Sequence, residues 1–240
     1  MTDVRAEAEP VDLLAEGEIR LLGLLAGASN HTFLVEVADG ERSIQAVYKP
    51  RRGERPLWDF PKWTLHRREV AAYRLAEGLG WPAVPATVLR DGPAGVGAVQ
   101  AFVDADPSEH FFTLRTLRLD DFRPVAAFDV VANNADRKSG HCLLGRDGRI
   151  WSIDHGLCFG TRAPLRSVIW QFAGTPVPDD LLGDVRRVAG ELRSGPLREA
   201  MAELLSVAEV DATAERAEAL LAEKVFPFPG AGRTHPWPLV

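Results

Sequence analysis

Apolar and polar residues alternate from His31 to Ala38, setting Phe33, Val35 and Val37 on one face, which is the period of a half-buried β-strand. An apolar run from Glu18 to Leu25 predicts a strand before it, with Ala26-Gly27-Ala28-Ser29-Asn30 as the turn between, and Asp39-Gly40 closes the pair. Ser43 to Pro50 predicts a third strand. From Trp63 to Leu79 the period changes to that of a helix, with Val70, Tyr73, Leu75 and Leu79 apolar and Gly80 as the stop before Pro82. Val84 to Val88 and Gly97 to Val103 read as two more strands around the Asp91-Gly92-Pro93 turn.

Beyond Asp104 the pattern is mainly helical. Leu117 to Val131 includes a buried helix, although its end, Phe128-Asp129-Val130-Val131-Ala132, reads in isolation as a β-type run. A short hairpin follows: Cys142-Leu143-Leu144, an Asp147-Gly148 turn, and Ile150-Trp151-Ser152-Ile153. Leu181 to Arg193, Pro196 to Leu205 and Asp211 to Lys224 predict amphipathic helices. The prolines between Phe226 and Pro238 exclude a helix and predict a packed or extended arm. Residues 1–17 read as a polar, flexible lead-in.

The hairpin carries the chemistry. Asn134-Ala135-Asp136-Arg137-Lys138-Ser139-Gly140-His141 precedes it and Ile153-Asp154-His155-Gly156 follows, so two aspartates 18 positions apart are brought to its two ends. Phosphoryl transfer needs such a pair: one carboxylate for the attacking hydroxyl, another for a divalent cation on the nucleotide phosphates. Each alone could be an ordinary turn aspartate.

Asn-x-Asp-Arg followed by Ile-Asp-x-Gly-Leu-x-Phe resembles the phosphatidylinositol 3-/4-kinase-like branch of the protein-kinase-like superfamily. In these loops it is most similar to type II phosphatidylinositol 4-kinases and the Fam20 kinases. More narrowly, the chain resembles small actinobacterial phosphatidylinositol-kinase-like proteins, over roughly residues 20–160. The resemblance implies an α+β, bilobal protein-kinase-like fold, with a five-stranded antiparallel N-lobe over 18–104. A reduced, mainly helical C-lobe with a Pro-rich arm would occupy 105–240.

The resemblance implies roles residue by residue. Lys49, at a strand end, would pair with ATP phosphates, and Glu69 on the helix would be its ion-pair partner. Gly27, Ser29 and Asn30 would form the turn covering the phosphates, and Gln100 and Phe102 belong to the hinge that meets adenine. Asp136 would orient the acceptor hydroxyl, Lys138 would stabilise the transferred phosphoryl group, and Arg137 would serve as structure or phosphate ligand. Asp154 would bind Mg²⁺ or Mn²⁺. His141 departs from the pattern: most relatives carry asparagine there, as second metal ligand. An imidazole suits Mn²⁺ better than Mg²⁺, so the departure bears on metal preference and on turnover itself. Three activities are compatible with these residues: transfer of the γ-phosphate to a lipid, protein or small-molecule hydroxyl, nucleotide binding by a pseudokinase scaffold, and AMP transfer.

Composition narrows the partners. The formal charge of −6 disfavours nucleic acid, yet Lys49 to Arg68 holds seven basic residues against Glu54 and Asp59. Trp58, Phe60 and Trp63 interleave with the Arg51–Arg68 basic run, so peripheral membrane contact is one expectation and a packed loop the other. Only four of 28 basic residues are lysine, two of them Lys49 and Lys138, where a compact ammonium would be wanted. No apolar run is long enough for a transmembrane helix and no secretory signal is visible, which makes the cytoplasm the expected compartment. Cys142 and Cys158 lack metal or redox spacing and are expected to be buried reduced thiols.

Overall fold

The computed structural model describes residues 11–25, 30–81 and 84–240, which divide into two compact units. The first comprises residues up to Arg55 together with Ala86–Phe102. It opens with the short helix α1 (Val11–Glu16), followed by β1 (Glu18–Leu24), β2 (Phe33–Ala38) and β3 (Ser43–Pro50), and is completed by β4 (Thr87–Gly92) and β5 (Gly95–Ala101). All pairings are antiparallel, in the order β1-β2-β3-β5-β4. The two-residue period does what it predicts: Val35 and Val37 of β2 and Ala46 and Tyr48 of β3 are fully buried. Leu13 and Leu14 of α1 lie in the same core, and the Arg90 guanidinium ties the helix down by donating to the carbonyls of Leu14 (2.9 Å) and Gly17 (2.8 Å). Gly97 has a steric reason: a Cβ there would lie 2.6 Å from the Lys49 carbonyl oxygen. Against the pattern, β4 begins and ends later, with Val84 to Ala86 preceding it, whereas β5 begins and ends two residues earlier, so the turn falls at Pro93-Ala94, with Gly95 at φ +93°. Glycine takes that left-handed conformation without strain.

The second unit comprises residues 56–85 and 103–240. The helix α2 (Leu65–Leu79) belongs to this unit, and is buried nearly all round. It is followed by α3 (Phe111–Arg118), α4 (Arg123–Ala132), the hairpin β6 (Cys142–Leu144) and β7 (Ile150–Ser152), then α5 (Asp179–Ser194), α6 (Pro196–Ala202) and α7 (Val207–Glu223). The core between α5 and α7 joins Val185, Val188 and Leu192 to Val210, Ala214 and Ala217. Ser206 and Glu209 form a reciprocal cap at the start of α7. The run 128–132 is therefore the end of a helix and not a strand. Val125, Phe128, Val131 and Ala132 are all buried, and Asn133 ends α4 in the left-handed region at φ 50°. An apolar tetrad too short to show its period looks alike in either conformation. The arm after α7 is irregular, as its prolines require.

Candidate active site

The loop after α4 is organised by Asp129, which sits inside the unit at 1% exposure. Its carboxylate accepts from Asn134 Nδ2 (3.0 Å) and from Arg137 Nε (2.9 Å to Oδ2) and Nη2 (2.9 Å to Oδ1). Asn134 Oδ1 in turn accepts the Asp136 N–H (2.9 Å), an Asx turn that aims Asp136 out of the loop. The remaining Arg137 donors reach the carbonyls of His141 (3.2 Å) and Ile153 (3.0 Å) and the ring of His155 (2.9 Å). Burial works against the Arg137 charge, but the Asp129 carboxylate outweighs it and holds the guanidinium above the ordinary arginine range. Arg137 is thus fully buried and committed to protein partners. Of the two roles open to it from sequence, phosphate ligand and structure, its geometry matches structure.

That network brings the two aspartate loops together. Ile153 N–H donates to the His141 carbonyl (2.9 Å) where the hairpin closes. Asp154, at φ 60°, then presents Oδ2 to His141 Nε2 at 3.3 Å. Lys138 N–H lies 3.4 Å from His141 Nδ1, so in this arrangement Nδ1 accepts and Nε2 carries the ring proton. Lys138 Nζ is 3.5 Å from Asp136 Oδ2. Burial raises the Asp136 carboxyl to about 6 against the pull of Lys138, with Asp154 adding to the rise. A carboxyl set there is placed to exchange a proton near neutrality.

Glu69 belongs to the same unit. Its Oε2 accepts the His155 N–H and its Oε1 the Gly156 N–H, both at 3.0 Å, so α2 holds the loop that carries Asp154. A Cβ at position 156 would lie 3.3 Å from Glu69 Oε1, which favours glycine there. The helix reaches this position through Arg68, which pairs with Glu209, donates to the Cys158 carbonyl (2.7 Å) and lies over the Phe60 ring at 5.0 Å. Cys142 and Cys158 are buried free thiols, the first pushed by burial to about 12 and the second well above the ordinary range, so neither is a nucleophile.

Lys49 sits near the end of β3 in the sheet unit, opposite Ala98 and facing away from Tyr48. Asn30 is engaged locally, its Oδ1 accepting the Arg55 N–H (2.9 Å), while Gly27 and Ser29 lie outside the described residues. In the hinge run, Gln100 Nε2 donates to Thr87 Oγ1 (2.8 Å), and the Ala101 and Phe102 N–H groups donate to Ala86 and Gln45 carbonyls. The aromatic-basic surface is corrected. Phe60 is buried with Leu65, Ala135 and Ala163, and Arg68 is interior, leaving Trp58 and Trp63 exposed. These side chains do not form one membrane-facing patch, and no described helix is long and apolar enough to cross a membrane.

Sequence reading missed Asp129, Ser139 and His110. Asp129 was legible as the residue eight positions before the arginine of an Asp-Arg pair, whereas the His110 contact with Ser139 spans 29 positions and has no local signal. Among the described residues no cluster of three or more His, Cys, Asp or Glu side chains is built to hold a metal. Asp154 and His141 would suit a cation that takes its remaining ligands from nucleotide phosphates, the usual habit of Mg²⁺. Coordination through His141 Nε2 would require its proton to move to Nδ1.

The five-stranded antiparallel sheet with a mainly helical unit bearing a paired-aspartate hairpin defines a bilobal protein-kinase-like fold. Solved structures share it: a Golgi casein kinase with Mn and ADP bound (TM-score 0.58, 15% identity, 89% of this chain and 74% of that one) and a hydra Fam20 (0.58, 14%, 89% and 86%). The Helicobacter pylori proinflammatory kinase CtkA matches at 0.51 with 12% identity, over 89% and 94% of the two chains. By sequence, the chain belongs to the family of the Mycobacterium tuberculosis protein Rv2133c, with 42% identity over 94% of each chain. Similarity to phosphatidylinositol 4-kinase gamma 4 of rice is 33% over 38% of this chain and 20% of that protein. The phosphatidylinositol-kinase resemblance is thus real but partial, and does not extend to the whole chain. No family model matches.

Proposed function

We propose that the protein is an ATP-dependent phosphotransferase acting on a hydroxyl acceptor. The observation that carries this is the Asp136–Lys138 pair, a carboxylate titrating near neutrality with an ammonium 3.5 Å away, beside Asp154 and His141. In the reaction, the acceptor hydroxyl gives its proton to Asp136 as its oxygen bonds to the γ-phosphorus. The bond from that phosphorus to the β–γ bridging oxygen breaks and ADP leaves. Lys138 stabilises charge on the transferred oxygens, and Asn134 and Arg137 hold both in place through Asp129. Glu69 keeps the Asp154 loop in register from α2. Lys49 is assigned to the nucleotide phosphates, with Gln100 and Phe102 near the base. A divalent cation held by Asp154 and His141 would neutralise phosphate charge, and the Mn and ADP bound to the related Golgi casein kinase support a nucleotide and metal requirement. The imidazole favours Mn²⁺ over Mg²⁺.

The test is incubation with γ- and, separately, α-labelled ATP in Mg²⁺ or Mn²⁺, over a panel of lipid, protein and small-molecule acceptors. Transfer from the γ position only, faster in Mn²⁺ and lost in Asp136→Asn, is expected. Label arriving from the α position would make the protein an AMP transferase. Nucleotide binding without transfer would make it a scaffold.

A further inference from the structure

The loop between Asp136 and His141 is held from outside as well as from within, and the point of attachment is Ser139. This serine is completely buried although it follows Lys138 directly in a loop near the surface. All its polar atoms are engaged. Its hydroxyl accepts the Phe112 N–H (3.0 Å) and lies 2.9 Å from His110 Nδ1, both at the start of α3. With Phe112 already donating, the hydroxyl proton is free to go to the imidazole nitrogen. Its amide donates to the Leu239 carbonyl at 2.8 Å, and its carbonyl accepts the Cys142 N–H. The arm that supplies Leu239 is itself anchored: the Thr234 carbonyl accepts from Ser167 N–H (3.0 Å) and Trp170 Nε1 (3.1 Å). Ser167 forms a parallel bridge with Arg137, whose own amide donates to the Arg166 carbonyl. The arm therefore braces both segments that flank the Asp136 loop.

We infer that Ser139 is a positioning residue for phosphoryl transfer, clamped between the start of α3 and the 234–239 arm so that Lys138 keeps its place beside Asp136. The inference rests on the phosphotransferase reading. Its physical basis is that Lys138 and Ser139 share a peptide bond: a rotation of the Ser139 backbone moves the Lys138 stem, and small displacements at a reacting centre are costly. The contacts to His110, Phe112 and Leu239 join segments 27 to 100 residues away in sequence to a loop that has its own internal network through Arg137. Without them the inner half of the loop would still be held and the outer half would not.

The experiment compares full-length wild type with Ser139→Ala, His110→Ala and the double variant. It measures turnover and KM for γ-labelled ATP, and amide exchange over residues 138–141. Each single variant is expected to lose about tenfold in kcat, with KM for ATP changed by less than about twofold. Exchange over 138–141 should quicken while α4 and α5 keep their protection. Because both variants cut one clamp, the double variant should be no slower than the weaker single one. An unchanged kcat in Ser139→Ala, a loss confined to KM, or independent multiplying losses would overturn the inference. His110 lies outside the loop and is half-buried, so its variant gives the answer if Ser139→Ala fails to fold. If wild type transfers no label, the phosphotransferase reading fails separately. The clamp is then judged by exchange alone, and unaltered protection at 138–141 in both single variants refutes it.

Discussion

Asp136 carries opposite demands of stability and chemistry. Its carboxyl is raised to about 6, whereas an aspartate in the unfolded chain titrates near 3.9. Between those values the folded protein binds the extra proton, so Asp136 makes stability fall as pH rises from about 4 to about 6, after which its contribution is constant. Asp136→Asn removes that cost. In metal-free protein the variant should be more stable than wild type at pH 7.5, by about 2 kcal/mol, and equal to it at pH 4. Turnover should be lost, and wild-type turnover should rise with pH through about 6 as the base form appears. Urea unfolding at the two pH values checks the first part, and wild-type stability rising between pH 4 and 6.5 through this group would contradict it. At this scale the sequence was informative about Asp136, Lys138, Asp154 and His141, because a hairpin joins them locally. It was silent on Ser139, whose partners His110, Phe112 and Leu239 lie in segments remote along the chain.

At the scale of elements, α2 shows what periodicity can and cannot tell. The helix and its glycine stop are legible from Val70, Tyr73, Leu75, Leu79 and Gly80. Its neighbours are not: it packs on α5 and α6, more than 100 residues later, and a hydrophobic stripe does not name what covers it. The polar side of the helix is the more informative one. Arg68 is buried at 0% exposure and reaches Glu209 of α7, which also caps its own helix through Ser206. Glu209→Gln leaves the guanidinium charged and interior with a neutral partner, and should destabilise the protein by about 3 kcal/mol. Arg68→Met should cost less, because the Glu209 carboxylate keeps the Ser206 amide (2.9 Å) and hydroxyl (2.8 Å). Chemical denaturation of the two variants checks this order, and an equal or reversed ranking would mean that the pair contributes little beyond its packing. The misreading of 128–132 as strand belongs here too, since burial on several faces erased the helical period.

At the scale of the molecule, the succession of three strands, a helix and two strands, and the change from strand to helix after Asp104, were readable because the elements are bounded by glycine, proline or aspartate turns. Placement of 65–79 in the helical unit was not, because unit membership depends on packing partners rather than on order along the chain. Lys49, proposed for the nucleotide phosphates, belongs to the sheet unit, and Asp136, Lys138 and Asp154 belong to the helical unit. This makes Lys49 the clearest test of whether the sheet unit takes part in nucleotide binding. It stands at a strand end in a chain where arginine is the usual cation, a choice suited to a compact ammonium on phosphate oxygens. Lys49→Ala should weaken ATP binding by about 1–3 kcal/mol, the worth of a charge-assisted hydrogen bond, and Lys49→Arg should not restore it, since a planar fork does not replace a point charge. The unfolding transition of each variant, measured alongside, tells a loss of affinity from a loss of fold. Calorimetric titration with ATP and a metal ion separates the two effects. Full affinity in Lys49→Ala would overturn the nucleotide role proposed for this lysine.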